Sequence, residues 1–231
     1  MHDDTDSPAS SDGAPSTRST WRHGRLLPTN RLEAFSDGVF AIAITLLVLE
    51  LRVPTAGEGL LGELAKEWPT YVGYFISFSF IGGAWMAHSN MTRFIQAADA
   101  ALLRLNLLLL LFVSLLPFTT SLMATHHRDP GTRTSVFLFG LSLTLAAAMV
   151  SLLIRHAART PGIADDDVAE EELRDFARER LIALIAYATT TVVGLIAPRV
   201  ALIAFLVVSV AILLEPLARS PRQRRSEHKA G

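Results

Sequence analysis

The sequence contains no cysteine, which excludes disulfide bonds, thiolate metal sites and cysteine nucleophiles. Lysine is also scarce, with only Lys66 and Lys229 present. The formal net charge is -1, so no excess of positive charge marks a nucleic-acid-binding surface. No nucleophile with a base, no phosphate-binding loop and no metal-ligand spacing occurs in the chain. We therefore expect no enzyme activity, no cofactor, no metal site and no nucleic-acid partner.

Hydrophobic residues make up 50% of the chain and are gathered into long blocks. A bilayer core about 30 Å thick needs roughly 20 apolar residues per helix, and runs of that length recur here. The blocks span residues 31–51, 70–95, 100–125, 132–156, 178–197 and 199–217. The sequence therefore predicts an all-α integral membrane protein with six transmembrane helices.

The chain outside these blocks predicts two tails. Residues 1–24 are rich in Ser, Asp, Thr, Pro and Gly and have almost no apolar residues, so they cannot offset the entropy of ordering. They also lack the apolar stretch of a secretory signal. We expect a disordered cytoplasmic tail over 1–24, a six-helix transmembrane domain over 25–218 and a basic cytoplasmic tail over 219–231.

Basic residues near the ends of the blocks are distributed unevenly. One side of the membrane would carry Arg18, Arg22, Arg25, Arg31, Arg93, Arg104, Arg155, Arg159, Arg174, Arg178, Arg180 and the C-terminal arginines, and the other only Arg52, Lys66, Arg128, Arg133 and Arg199. Cytoplasmic loops are enriched in Lys and Arg, so both termini are predicted to be cytoplasmic, which requires an even number of spans. We expect a multi-pass protein of the cell membrane.

Two polar features outside the blocks favour structural explanations. Six acidic residues between 165 and 172 could attract cations or bind calcium, but the alternating carboxylates and central glycine of a calcium loop are missing. A solvated helical start to the fifth helix is the favoured interpretation. His126 and His127 lack a third ligand and are interpreted as loop residues.

The first block contains Ser36 and Asp37 within an apolar span. Charged residues inside membrane helices are rare and usually face a bundle interior or an aqueous path. With a rise of about 1.5 Å per residue, Asp37, His88 and Asn106 all lie roughly 10 Å from the cytoplasmic ends of their helices. With Trp85 one turn from His88, these groups can satisfy one another across three helices. These side chains form one polar layer, and we interpret it as a network that packs the helices together rather than as a site that contacts ions.

Another face of the first block carries an apolar stripe interrupted by one hydroxyl. Its members at helical spacing are Phe35, Gly38, Ile42, Thr45, Leu46 and Leu49. Within one chain, such a stripe would ordinarily belong to the core or face lipid.

The segment from Arg31 to Leu49, RLEAFSDGVFAIAITLLVL, closely resembles the first-helix signature of the transmembrane protein 175 family. That family comprises lysosomal and prokaryotic potassium channels without a conventional carbonyl filter. The resemblance continues through Trp85 and His88, and from Asn106 to Pro117-Phe118, so it covers roughly residues 31–125. One departure follows His88, where members often have a second histidine and a basic residue but this chain has Ser89-Asn90.

The resemblance implies passive, potassium-selective conduction through a pore lined by the first helix of each subunit. Ile42 would form the apolar constriction, Leu46 and Leu49 would continue it, and Thr45 would contribute to selectivity. The residues that would hold the helix in place are Arg31, Phe35, Ser36, Asp37, Trp85, His88 and Asn106. Prokaryotic members carry one six-helix repeat and form tetramers, so the implied assembly is a homotetramer in the lipid bilayer, with potassium as the permeant ion.

Two other functions remain open at this point. A secondary transporter for a small cation would place polar substrate groups near the midplane, often on broken helices in paired repeats. Here the polar layer lies toward the cytoplasmic side, and no inverted repeat is visible. In a membrane scaffold without transport activity, the polar layer would serve packing alone.

Overall fold

The computed structural model describes residues 27–51, 59–126, 130–160, 163 and 167–219. This part of the chain contains six helices of 21 residues or more: α1 (Thr29–Leu49), α3 (Trp68–Thr92), α4 (Ala100–Thr125), α5 (Thr132–Ala157), α6 (Asp167–Ile196) and α7 (Pro198–Arg219). A short helix, α2 (Leu60–Lys66), precedes α3. Two-residue strands β1 (Leu27–Pro28) and β2 (Ala97–Ala98) pair antiparallel.

The predicted blocks coincide with the long helices to within a few residues, except at the start of α6. This helix begins at Asp167 rather than at residue 178, so the end of the acidic stretch is already helical. The helical start predicted for this region is therefore confirmed from Asp167 onward. The predicted tail over 1–24, most of the tail over 219–231, His127, Asp165 and Asp166 lie outside the described residues.

The long helices form one packed bundle. α5 packs against both α4 and α6, while α3 packs against α4 and α7, and α1 lies against α3 and α4. Pro117 lies inside α4, which continues through it to Thr125. Between α5, α6 and α7, the rings of Phe139, Tyr187 and Phe205 form a buried aromatic cluster.

Four of the described helices combine the length and the hydropathy of a membrane span. They are α1, α4, α5 and the part of α6 over Leu173–Ile196. Residues Pro198–Leu214 of α7 are apolar over a shorter range, and α3 is long enough but carries more Gly, Ser and other polar residues. The protein is an all-α membrane protein, as its sequence predicts.

Candidate pore helix and its polar anchor

α1 has one face buried in the bundle and one face left uncovered in the single chain. The buried residues follow helical spacing and contact α3 and α4: Leu32, Ser36, Phe40, Ala43 and Leu47. Four of the five are apolar, so the burial of α1 depends mainly on packing. Ser36 is the exception, and it marks the level at which the buried face becomes polar.

Ser36, Asn106 and His88 form a buried hydrogen-bonded chain across α1, α4 and α3. His88 Nε2 lies 2.9 Å from Asn106 Oδ1, and Asn106 Nδ2 donates to Ser36 Oγ over 2.9 Å. Ser36 Oγ in turn donates to the backbone carbonyl of Leu32 over 2.7 Å. With the proton of the imidazole on Nε2, His88 donates to Asn106, Asn106 to Ser36 and Ser36 to the Leu32 carbonyl. His88 Nδ1 has no partner among the described residues.

A second connection between α1 and α3 runs beside this chain. Trp85 Nε1 donates to Asp37 Oδ1 over 2.9 Å, at a partly exposed position. One turn earlier on α1, Glu33 Oε1 accepts a hydrogen bond of 3.2 Å from Thr92 Oγ1. The carboxylates of Glu33 and Asp37, one turn apart on α1, therefore both accept hydrogen bonds from side chains of α3. These two bonds fix the rotation of α1 against α3.

The structure brings together five of the seven residues predicted to hold α1, and we call these five the polar anchor. Ser36, Asp37, Trp85, His88 and Asn106 all take part in the contacts just described, although Asp37 bonds Trp85 and Asn106 serves the imidazole. The other two, Arg31 and Phe35, are exposed in the single chain. Their predicted role in the network remains a prediction that depends on a neighbouring subunit.

The predicted apolar stripe lies on the uncovered face of α1. Ile42 is 60% exposed and Leu49 75%, and Phe35 and Leu46 are also exposed. At Gly38, an added Cβ would meet no atom within 4 Å. Thr45 is exposed and donates its hydroxyl to the carbonyl of Ile42 over 2.9 Å, which leaves the hydroxyl oxygen available as an acceptor on this face. All six residues of the stripe are thus free to face a pore or a second subunit.

Sequence reasoning missed a polar clamp at the end of the bundle where α1 begins. Asp99 caps α4 by accepting from the backbone N–H of Leu102 over 2.7 Å, and its carboxylate lies 2.9 and 3.0 Å from His156 Nε2. Burial by itself would raise the pKa of Asp99, but the hydrogen bonds from Leu102 and His156 outweigh it and hold the pKa below its ordinary value. An aspartate directly before a helical run is a recognisable cap, whereas its contact with α5 is invisible in the sequence.

The remaining polar candidates have structural surroundings. His126 ends α4, with its Nδ1 3.0 Å from the carbonyl of Leu122 and its own carbonyl accepting from Thr132. No group of three or more His, Asp or Glu side chains arranged to hold a metal ion occurs within the described residues. The contacts of His126 with Leu122 and Thr132 agree with its interpretation as a loop residue.

Comparison with known proteins connects this geometry to a family of channels. The family model described as the endosomal/lysosomal potassium channel TMEM175 matches residues 31–117, which run from α1 to the middle of α4. A potassium channel of Streptomyces collinus is 38% identical over 143 residues, which are 61% of this chain and 69% of that protein. The human protein named endosomal/lysosomal proton channel TMEM175 is 34% identical over 149 residues, 58% of this chain and 30% of its own length.

A solved structure shares the fold over most of the chain. The crystal structure of a lysosomal potassium-selective channel TMEM175 homolog from Chamaesiphon minutus superposes with a TM-score of 0.73 at 30% identity. The match covers 81% of this chain and 97% of that one. The family match, the identity to the Streptomyces collinus channel and the shared fold agree, and the chain belongs to the TMEM175 family.

Proposed function

We propose that this protein is a potassium-selective channel in which four copies of the chain surround one central pore lined by α1. The relatives from Streptomyces collinus and Chamaesiphon minutus are named as potassium channels. The observation that carries the assignment of α1 is its two-sidedness: one face is fixed by buried hydrogen bonds, and the opposite stripe is uncovered.

A pore helix must not rotate about its axis while ions pass, and the polar anchor resists such a rotation of α1. A rotation of α1 would break the bonds of Ser36 to Asn106 and of Asp37 to Trp85 together, leaving buried groups unsatisfied. A helix whose only task is to face lipid needs no such anchor, because apolar packing tolerates small rotations. The anchor therefore supports a helix that presents specific side chains toward an axis.

The stripe itself suits a hydrophobic gate. Four Ile42 side chains around an axis would exclude water, and Leu46 and Leu49 would continue the apolar wall toward the other end of α1, since hydrophobic constrictions gate by dewetting. Thr45 places a hydroxyl oxygen beside this wall and would contribute to ion preference. Conduction then requires the ring of Ile42 side chains to widen. This mechanism involves no carbonyl filter.

The proposed topology has six spans with both termini in the cytoplasm. The loop before α4 bonds the end of α5 through Asp99 and His156, and Gln96 N–H donates to the carbonyl of Ile163 over 3.0 Å. β1, before α1, pairs with β2 in the same loop. The start of α1, the α3–α4 loop and the α5–α6 connection thus meet at one end of the bundle. This end carries most of the arginines, so we assign it to the cytoplasmic face of the cell membrane.

Flux through purified protein in liposomes tests the proposal. We expect downhill potassium flux that exceeds sodium flux and rises without saturation over a wide concentration range. A secondary transporter would give slow, saturable flux coupled to a second ion, and a scaffold would give none.

Because the animal relatives are named as proton channels, the same liposomes should carry an internal pH dye. A potassium gradient at constant pH then separates the potassium current from the proton current. Crosslinking of the purified protein should give a ladder that ends at the tetramer.

A further inference from the structure

Four arginines from two helices converge on one open cavity where α5 ends and α6 runs past it. Arg155 lies in the last turn of α5 and Arg159 just after it, while Arg174 and Arg178 lie one turn apart on α6. The cavity has a volume of about 320 Å³, and Ala158, Ala177 and Leu181 complete its lining. The site therefore combines concentrated positive charge with an apolar wall.

Among the side chains that the structure describes, few acidic groups lie against these arginines. Arg178 Nη1 lies 3.1 Å from Asp175 Oδ1, and both side chains are largely exposed, so solvent screens this pair. Arg155 and Arg159 have no acidic partner among the side chains that the structure describes. Within the described part of the chain, the α5 side of the cavity thus presents two arginines without a counter-charge, an arrangement that favours an anion.

Along α6, one face changes from charged to apolar at this point. Arg174, Arg178, Leu181 and Ile185 follow one another at helical spacing. Leu181 and Ile185 are both exposed, at 37% and 57%, and Leu152 of α5 is exposed one turn before Arg155. The groove between α5 and α6 therefore leads from the arginines to an uncovered apolar surface inside the proposed span.

We propose that this cavity binds the phosphate of an anionic phospholipid from the cytoplasmic leaflet, with an acyl chain lying along Leu181 and Ile185. Guanidinium groups bind phosphate oxygens in a bidentate manner, and basic pockets between membrane helices on the cytoplasmic side hold anionic headgroups. A soluble phosphate would use the arginines but gain nothing from the apolar surface, which is why a lipid is the better fit. The inference goes beyond ion conduction and depends on the proposed function only for the orientation in the membrane.

The same arginines have two simpler uses that need no ligand. Cations near the end of α5 complement its helix dipole, and arginines on this side orient the protein in the membrane. Neither use requires that arginines of two helices line one cavity, nor that an apolar face continue from it. A test must therefore compare arginines of the cavity with other arginines at the same end of the bundle.

Lipid binding to the purified, detergent-solubilised protein tests the inference by native mass spectrometry and thermal shift. The probes are phosphatidylglycerol, phosphatidylcholine and inorganic phosphate. The cavity variant is Arg155→Gln/Arg159→Gln, and the matched control is Arg93→Gln/Arg104→Gln, which removes equal charge from exposed positions at the same end. If the cavity variant fails to fold, Arg174→Gln/Arg178→Gln removes the charge from the α6 side instead.

We expect the parent and the control to bind phosphatidylglycerol equally, and the cavity variant to bind it about thirtyfold more weakly, given the usual contribution of two interfacial arginines. Phosphatidylcholine should bind weakly to all three proteins, and inorganic phosphate should not displace phosphatidylglycerol at comparable concentration. Equal binding by the parent and the cavity variant, equal losses in both variants, or full displacement by inorganic phosphate would each overturn the proposal. Ion flux is not the readout, so such a failure would leave the proposed channel function standing.

Discussion

The indole N–H of Trp85 donates to the carboxylate of Asp37 over 2.9 Å, and this bond joins α3 to α1 at a partly exposed position. The imidazole of His88, one turn away on α3, takes Asn106 of α4 as its partner instead. Asp37 and Asn106, which are predicted to lie at one depth, therefore bond different residues of α3: Asp37 accepts from Trp85, and Asn106 bonds His88. This division allows the buried and the exposed parts of the anchor to be tested separately.

The first prediction concerns the exposed contact. Trp85→Phe and Asp37→Ala should each lower the thermal stability of the oligomer by about 1 kcal/mol, the usual size of a side-chain hydrogen bond in a membrane protein. Because both changes remove the same bond, the double variant should lose little more than either single one. Unfolding in detergent, followed by size-exclusion chromatography, measures the losses. A stable Asp37→Ala oligomer with a changed ratio of potassium to sodium flux would mean that Asp37 contacts ions.

The second prediction concerns the buried chain. Asn106→Ala should destabilise the protein more than Asp37→Ala, since it leaves both the His88 and Ser36 groups buried without their partner. Each unsatisfied group costs roughly 1–3 kcal/mol. Asn90→Ala is a matched control, because Asn90 is half-buried near the end of α3 and outside this chain of bonds. Equal melting temperatures for the Asn106 and Asn90 variants would contradict the assignment of Asn106 as the centre of the anchor.

The sequence predicted the level of the polar layer but not its pairing. The depth of Asp37, His88 and Asn106 follows from the constant rise of a helix, which requires only the helix boundaries. Which donor meets which acceptor depends on the rotation of the helices, and this is decided by packing. For the same reason, the sequence predicts a polar layer of Asp37, Trp85, His88 and Asn106, and only the structure shows that Asp37 bonds Trp85.

Contacts between distant segments could not be predicted either. Asp99 and His156 are separated by the whole of α4 and most of α5, and no periodicity connects them. The arginines of α5 and α6 were visible as a marker of orientation, but their convergence on one cavity is a property of the packed helices. The apolar stripe of α1 was predictable because its residues recur at helical spacing, although only the structure shows that the rest of the chain leaves this stripe uncovered.

The third prediction concerns pH and the contact between Asp99, at the start of α4, and His156. The pKa of Asp99 is lower in the folded protein than its ordinary value of about 3.9, so its charged form stabilises the fold above that pH. This stability should be lost as the pH falls through the depressed pKa. Asp99→Asn keeps a good helix cap but removes the charge opposite His156. The parent should therefore melt above the variant at pH 6, and the difference should shrink below about pH 4. A difference that stays constant down to pH 3 would show that the charge of Asp99 contributes nothing.

The choice of control variants for the proposed pore helix follows from the two faces of α1. Leu47 is fully buried, so an asparagine there would damage packing and could not serve as a neutral comparison. Val48 is 50% exposed and lies about 120° around the helix from Ile42, given 3.6 residues per turn. Val48→Asn therefore places the same amide on an exposed position away from the stripe.

The fourth prediction is that Ile42→Asn raises basal ion flux and Val48→Asn does not. An apolar ring resists ions because they must shed water there, and an amide lowers this barrier by keeping the constriction wet. Ile42→Ala should also raise flux by widening the ring, whereas Thr45→Ala should change the ratio of potassium to sodium flux more than the leak. Liposome flux from variants with confirmed tetramer assembly measures each effect. If well-assembled Ile42→Asn and Ile42→Ala proteins conduct like the parent, α1 does not form the gate, and the pore must lie against another helix.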